Sequence, residues 1–380
     1  MSFHPGTWQK NAGAAVKYFE ELTTECVSGR EAGRWGPGAK ALGLEGPVSL
    51  ADFKALAYGK DPKTGRNITT RQKSNRRAVL EVVASCPKSY SIAALLGKDE
   101  RLVALFDRCV SETMAEADHS AAVRVRSQGR DEDAPARGLV YAEFQHDISR
   151  ALDPDLHRHI PVFNMAQEWG STEWRALQTT ELFAKQRLFT AILNSKLAAG
   201  ALELGYEVEK TKNGFELTAI PKHVREQFSK GSKKIDKATE KLTGKAKAHG
   251  MVRRVMAWKT RPDKTKLDEK NLHEIWKSEI GGDYDKVVQS VAEARNRKPA
   301  YETRSNAHEV VRDAIERTTQ NKAVVSEHEV ETVALNDANG RLGIIEVRQA
   351  LVEVSKHRGE ATSLSPFFIA VLEYDPQLQK

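Results

Sequence analysis

The sequence predicts an α+β fold, in which a central antiparallel β-sheet flanked by helices is followed by a small helical domain. Three observations predict it. Strand-like apolar runs lie at residues 78–84, 138–146 and 156–165, and the last two are joined by an Asp-Pro-Asp turn signal rather than by a crossover helix. Helical spacing resumes between and after these runs, without the regular βαβ alternation of a parallel sheet. The strongest hairpin signal, Asn213-Gly214, sits inside residues 206–219.

Each element has a local reason. Over residues 11–22, Ala15, Val16, Tyr18, Phe19 and Leu22 recur at helical spacing, with Asn11 placed to cap the first turn. The Gly-rich stretch 29–47, with Trp35 and Pro37, reads as a structured loop leading to a helix over 50–58. Residues 78–84 read Ala-Val-Leu-Glu-Val-Val-Ala, a β-branched run that ends in a Ser-Cys-Pro-Lys-Ser turn and carries Glu81 in its middle. A long helix is expected over 100–125, then the strand 138–146, the turn 147–155 and the strand 156–165. Helical spacing returns over 179–204 and the hairpin follows. Residues 222–266 are heavily basic, with Lys230, Lys233, Lys234, Lys237, Arg253, Arg254, Lys259 and Arg261 on either a solvated helical face or a phosphate-tracking one. Asn-Arg-Lys-Pro-Ala-Tyr at 296–301 reads as a linker. Three short helices should follow, one from near Ala307, one after Ser326 with Glu329 completing a capping box, and one over 343–354.

The chain of 380 residues can hold one large domain and a smaller one, and its 40% hydrophobic and 29% charged residues suit an ordinary globular protein. A net charge of +7 favours a polyanionic partner without choosing among nucleic acid, acidic protein and membrane surface. Cys26, Cys86 and Cys109 are odd in number and have no CxxC spacing, which argues against a disulfide framework or a thiolate metal site and for a reducing cytoplasm. The N-terminus has no apolar targeting core and no stretch is long enough to span a bilayer, so neither secretion nor membrane insertion is expected. With no G-x-x-x-x-G-K-[ST] motif, no nucleotide cofactor is expected either.

The chemistry concentrates around three histidines. His157 and His159 are two apart in a strand, so both face one side with Arg158 on the other. His146 closes the preceding strand, and the Asp-Pro-Asp turn can fold it back beside the pair. Three neutral imidazoles make an open metal site with positions left for water or a substrate oxygen. The competing reading is a half-buried polar patch with each ring hydrogen-bonded. A metal here could serve a hydrolase that activates water, or could polarise a phosphoryl group for a protein nucleophile. A carboxylate at Glu81 in an apolar strand needs a partner such as a histidine or a cation.

Residues 144–165, Phe-Gln-His-Asp-Ile-Ser-Arg-Ala-Leu-Asp-Pro-Asp-Leu-His-Arg-His-Ile-Pro-Val-Phe-Asn-Met, closely resemble the histidine motif of conjugative relaxases of the TraI/TrwC (MobF) type, members of the HUH endonucleases. Ala15-Val-Lys-Tyr-Phe, Cys86-Pro-Lys-Ser-Tyr-Ser, Glu173-Trp-Arg-Ala-Leu and Leu202-Glu-Leu-Gly-Tyr-Glu-Val agree in order and spacing, so the resemblance covers residues 1–295. It implies the HUH relaxase fold over 1–295, and it implies that 300–380 is a small helical, winged-helix-like domain of the kind that precedes a helicase, which is absent here. It further implies Tyr18 as the nucleophile, although on residues alone a tyrosine on an apolar helical face is more often a packed core residue. His146, His157 and His159 become ligands of a divalent metal ion, Mg2+ or Mn2+ with Zn2+ as the alternative. Glu81 falls where the family usually has an aspartate that orients a histidine or assists the tyrosine. Arg71, Lys88, Arg150, Arg175, Lys259 and Arg261 lie within or beside the matched motifs and could neutralise phosphates.

The activity implied is metal-dependent, site- and strand-specific nicking and strand transfer at a plasmid origin of transfer through a 5′-phosphotyrosyl intermediate, in the bacterial cytoplasm. Its partners would be the single-stranded DNA and hairpin of that origin, relaxosome accessory proteins and a type IV coupling protein. Two departures stand out. Many relatives carry tyrosine pairs at the active position and several residues on, whereas Tyr18 is followed by Phe19 and the later stretch reads Thr23-Thr24-Glu25-Cys26, which indicates a single-tyrosine enzyme. The other is the missing motor. Rival readings are a rolling-circle replication initiator with the same chemistry, an origin-binding module that has lost catalysis, and a metal hydrolase that acts through water.

Overall fold

The computed structural model describes residues 2–25, 33–69, 76–127, 129–212, 214–243, 269–298, 306–320 and 325–361, with the single residues 252, 256 and 322. Its strands are β1 (Ser2–Gln9), β2 (Arg34–Trp35), β3 (Val79–Ser85), β4 (Ala122–Ser127), β5 (Arg130–Arg137), β6 (Ala142–Ile148), β7 (Pro154–Phe163), β8 (Ala166–Glu168), β9 (Trp174–Arg175), β10 (Leu177–Gln178), β11 (Val208–Thr211) and β12 (Gly214–Leu217). The helices are α1 (Ala12–Glu25), α2 (Leu50–Ala57), α3 (Lys88–Ser91), α4 (Glu100–His119), α5 (Thr180–Ala184), α6 (Gln186–Glu203), α7 (Lys222–Gln227), α8 (Lys230–Thr243), α9 (Glu269–Ile280), α10 (Asp283–Asn296), α11 (Ala307–Thr319), α12 (Glu327–Ala338) and α13 (Ile344–Ala361).

A five-stranded sheet in the order β1-β3-β7-β6-β2 forms the centre, and every adjacent pair is antiparallel. The chain is therefore α+β, as its pattern predicts. β7 owes its central place to burial on both faces: Leu156, Ile160 and Val162 are buried on one side and Phe163 on the other. On the first side, Leu80, Val82, Ala84, Leu156 and Ile160 join one core with Phe106 of α4 and Leu193 of α6. α1 and α2 cover the opposite side. Phe19 meets Phe144 edge to face at 5.6 Å, and Phe53 meets Phe163 at 5.0 Å. α1 begins where Asn11 Oδ1 accepts the Ala14 N–H at 2.8 Å, the cap expected from the sequence.

Arg158 points away from the α1 side of β7 and is only 3% exposed. Its guanidinium donates to Glu143 at 3.0 Å and to Gln145 at 2.9 Å, pairs with Asp107 at 2.6 Å, and lies 5.8 Å from the centre of the Phe106 ring. Arg34 completes the network by donating to Glu143 at 2.9 Å and pairing with Asp107. Removing one member of such a buried set strands the others. Arg158→Ala should therefore cost about 3–5 kcal/mol, read as a lowered midpoint in denaturant unfolding; a loss within the noise of a surface substitution would refute the network's role.

Two expectations need correction. The helix expected over 100–125 ends at His119, and Ala122–Ser127 and Arg130–Arg137 pair as the β4–β5 ribbon of a second sheet, order β10-β4-β5-β8-β9. The alternation Ala-Val-Arg-Val-Arg at 122–126 is a strand's period of two, and it overrides continuation of the helix. The stretch 29–47 is more than a loop, since its described part contains β2 and a short 3-10 helix over Pro37–Leu42. β1 was not expected at all. Its Pro5 and Gly6 read as turn residues; Pro5 is drawn into the strand opposite Val82 of β3, and Gly6 falls in an irregularity between Pro5 and Trp8.

The last three helices follow the expected pattern, including the Ser326/Glu329 capping box. α12 lies on α6, and the Ser195 hydroxyl donates to Leu342 O at 2.8 Å. Gly340 has φ +88, and a Cβ placed there would come within 2.6 Å of the Ala199 backbone nitrogen. Their apolar residues belong to the same buried core as the sheet.

Candidate active site

The antiparallel register builds the site. His157 on β7 pairs with His146 on β6 on one flank and with Ser85 on β3 on the other. His159 pairs with Phe144 and Val83, which places Glu81 one step further along the same face of β3. The β6–β7 register slips by one residue between His146/His157 and Ile148/Pro154, so β7 carries an extra residue beside His157. The three imidazole centroids lie 5.4, 4.9 and 5.1 Å apart, and one nitrogen from each ring lies within 4.8 Å of the others. The predicted convergence of His146, His157 and His159 is therefore found.

Each ring also spends one nitrogen on the protein. His157 Nδ1 donates to Asp155 O at 2.7 Å, and His146 Nε2 to Leu22 O at 3.1 Å. His159 Nδ1 faces Glu81 Oε1 at 2.9 Å. Because a carbonyl or carboxylate oxygen can only accept, each of these contacts puts a proton on the nitrogen that faces it and makes the second nitrogen of the ring the candidate ligand atom. Three convergent imidazoles, each with one nitrogen already held by the protein, suit a divalent cation better than a self-satisfied polar patch.

Tyr18 comes from α1 onto the same face. Its hydroxyl donates to Glu81 Oε1 at 2.5 Å and lies 3.1 Å from His159 Nδ1, so phenol, carboxylate and imidazole share one corner. Glu81 has the partner that a carboxylate in an apolar strand requires. The link spans 63 residues of sequence between Tyr18 and Glu81, and no spacing rule could have found it.

Asp155 was missed as a functional candidate, although it stands next to the His-x-His run in the Asp-Pro-Asp signal. Its carbonyl holds His157, and its carboxylate meets Lys88 Nζ at 3.2 Å. Burial works against the Asp155 charge, but Lys88 and His157 outweigh it and hold the carboxyl below the usual carboxylate range. Lys88 also donates to Pro154 O at 2.7 Å and so buttresses the entry to β7.

Burial pushes the His157 imidazole below its ordinary pKa, with Asp155 opposing. The folded protein then keeps His157 neutral while the unfolded chain takes up a proton near pH 6.5, about the usual histidine value. The stability this contributes is present above that pH and is lost as pH falls through the depressed folded value. Melts of metal-free protein from about pH 7 down to pH 5 should lose more in wild type than in His157→Gln; equal slopes would show that His157 carries none of the acid sensitivity.

The remaining predicted DNA contacts scatter. Arg150 sits half-buried in the β6–β7 turn. Arg175 on β9 donates to Glu168 at 2.7 Å and Glu173 at 2.8 Å. Arg71, Lys259 and Arg261 lie outside the described residues. No helix among the described residues is long and apolar enough to cross a membrane.

Residues 7–282 match the family model described as TrwC relaxase. A multifunctional conjugation protein TraI of Escherichia coli is 31% identical over 364 residues, which cover 90% of this chain and 20% of that protein. The chain thus spans about a fifth of the length of that curated relative. The metal-bound structure of the conjugative relaxase TrwC in complex with oriT DNA is 29% identical and superposes with a TM-score of 0.65, covering 73% of this chain and 96% of that one. TrwC with a 27-mer DNA comprising the recognition hairpin and the cleavage site gives a TM-score of 0.62 at 28% identity, over 74% of this chain and 96% of that one.

Proposed function

Since the chain belongs to the TrwC relaxase family, a family of DNA-nicking enzymes, we propose that it nicks one strand at a plasmid origin of transfer and holds the cut strand as a 5′-phosphotyrosine on Tyr18. The observation that carries this is the convergence of Tyr18, Glu81 and three tautomer-fixed histidines on one face of the central sheet.

In this reading the Tyr18 phenol passes its proton to Glu81 Oε1, to which it already donates. Tyr18 Oη then attacks the scissile phosphorus; the phosphorus–Oη bond forms, the phosphorus–O3′ bond breaks, and the departing O3′ takes up a proton to become a free 3′-hydroxyl. His159 Nδ1–H donates to the same carboxylate and keeps it aimed at the phenol. His146, His157 and His159 would hold the cation, which when bound supplies positive charge to the oxygens of the scissile phosphate. The phosphodiester on tyrosine conserves the energy of the broken bond, so rejoining needs no nucleotide, and a single tyrosine serves one cut at a time.

The substrate is the single-stranded DNA and hairpin of the origin, met in the bacterial cytoplasm together with relaxosome accessory proteins and a type IV coupling protein. Residues 1–295 act as the relaxase domain. Within 300–380 we read the described helices α11–α13 as a small helical, winged-helix-like appendage, and the docking of α12 on α6 supports treating it as fixed to the relaxase.

The test is a denaturing gel of purified protein with labelled single-stranded oligonucleotides from its own origin, run with Mn2+, Mg2+ or EDTA. A metal-dependent band of protein joined to DNA is expected. Binding without an adduct would leave an origin-binding module, and cut products without attached protein would leave a metal hydrolase.

A further inference from the structure

The turn joining the two histidine strands is held from outside. Ser149, Ala151, Leu152 and Asp153 close it locally, with Leu152 N donating to Ser149 O at 2.9 Å and Ser149 N to Asp153 O at 3.0 Å. Leu152 sits at φ +60, left-handed backbone that a leucine adopts only at a cost. Something must hold it there, and the contacts come from two helices far along the chain. The Trp276 indole N–H of α9 donates to Leu152 O at 2.7 Å. Asp153, 2% exposed, accepts the Lys230 backbone N–H of α8 at 3.0 Å and lies 3.1 Å from Lys230 Nζ, which also meets Glu279 of α9 at 2.9 Å.

From this turn the chain runs directly through Pro154 and the irregular step of β7 to Asp155 and His157. We infer that Trp276 and Lys230 are positioning residues for the metal ligands: by holding the Leu152–Asp153 turn in its left-handed form, α8 and α9 set where Asp155 O catches His157, and hence how tightly the three histidines bind a cation. The inference rests on the metal reading of the site. Burial alone would not require it, since a core tryptophan packs without pointing its N–H at a left-handed carbonyl and a surface lysine needs no buried aspartate.

Trp276→Phe keeps the ring and removes the donor. Isothermal titration with Mn2+ should show its affinity reduced by about 10-fold, the lower end for loss of a group behind a ligand, while the thermal midpoint of the metal-free protein stays close to wild type. Leu152→Gly removes the backbone cost, so the double variant Trp276→Phe/Leu152→Gly should regain most of the lost affinity. Lys230→Met should lower affinity in the same direction. Unchanged Mn2+ affinity in Trp276→Phe would overturn the inference, as would a loss that Leu152→Gly leaves unrecovered. Wild-type protein that bound no Mn2+ would sink both this clamp and the metal reading, whereas wild-type binding with an unaffected Trp276→Phe would sink the clamp alone.

Discussion

Tyr18→Phe should abolish the covalent protein–DNA band while leaving origin binding within about twofold of wild type. The loss should be at least on the order of 10³-fold, because removing a covalent nucleophile costs more than removing any group that only supports it. The geometry makes the substitution clean. Tyr18 is half-buried on α1, its ring meets His159 edge to face at 6.3 Å, and the phenylalanine keeps that contact while losing only the hydroxyl that donates to Glu81. Equal thermal midpoints for the two proteins would confirm that chemistry and not folding had been removed. A persistent adduct would transfer the nucleophile's role to another residue and end the assignment.

The second large effect is expected at the proposed metal site. His157→Ala removes a proposed ligand whose partner, Asp155 O, is backbone and remains in place. Mn2+ affinity should fall by more than about 100-fold, beyond the usual penalty for losing only a group behind a ligand. Adduct formation should fall with it at low metal and recover partly as metal is raised. Titration calorimetry reads the first and the gel reads the second. If EDTA left wild-type cleavage untouched, the histidines would be structural and the mechanism would rest on Tyr18 and Glu81 alone.

The strands that carry the site were legible because they are buried on both faces: β3, β6 and β7 read as apolar runs, and the His-x-His step declares its own face. The convergence of His146 with that pair followed from a turn signal. Tyr18 was a candidate only through the family resemblance, since a tyrosine among Ala15, Phe19 and Leu22 looks like any core residue. What the sequence hid was pairing at long range. β1 becomes strand only against β3, Glu81 finds Tyr18 and His159 across three elements, and Trp276 reaches a turn 124 residues upstream. Local propensity carries no record of such contacts, because they exist only once the sheet has closed.

β7 alternates imidazole and guanidinium, with His157 and His159 on one face and Arg158 between them on the other. A strand slipped by one residue would drive a permanent positive charge among the proposed metal ligands and leave two histidines against Phe106, with Glu143 and Asp107 stranded. Such a misalignment fails on both sides at once. The chain therefore carries an error check that operates before any ion arrives, and insertions or deletions within β6 and β7 should be among the least tolerated changes in the protein.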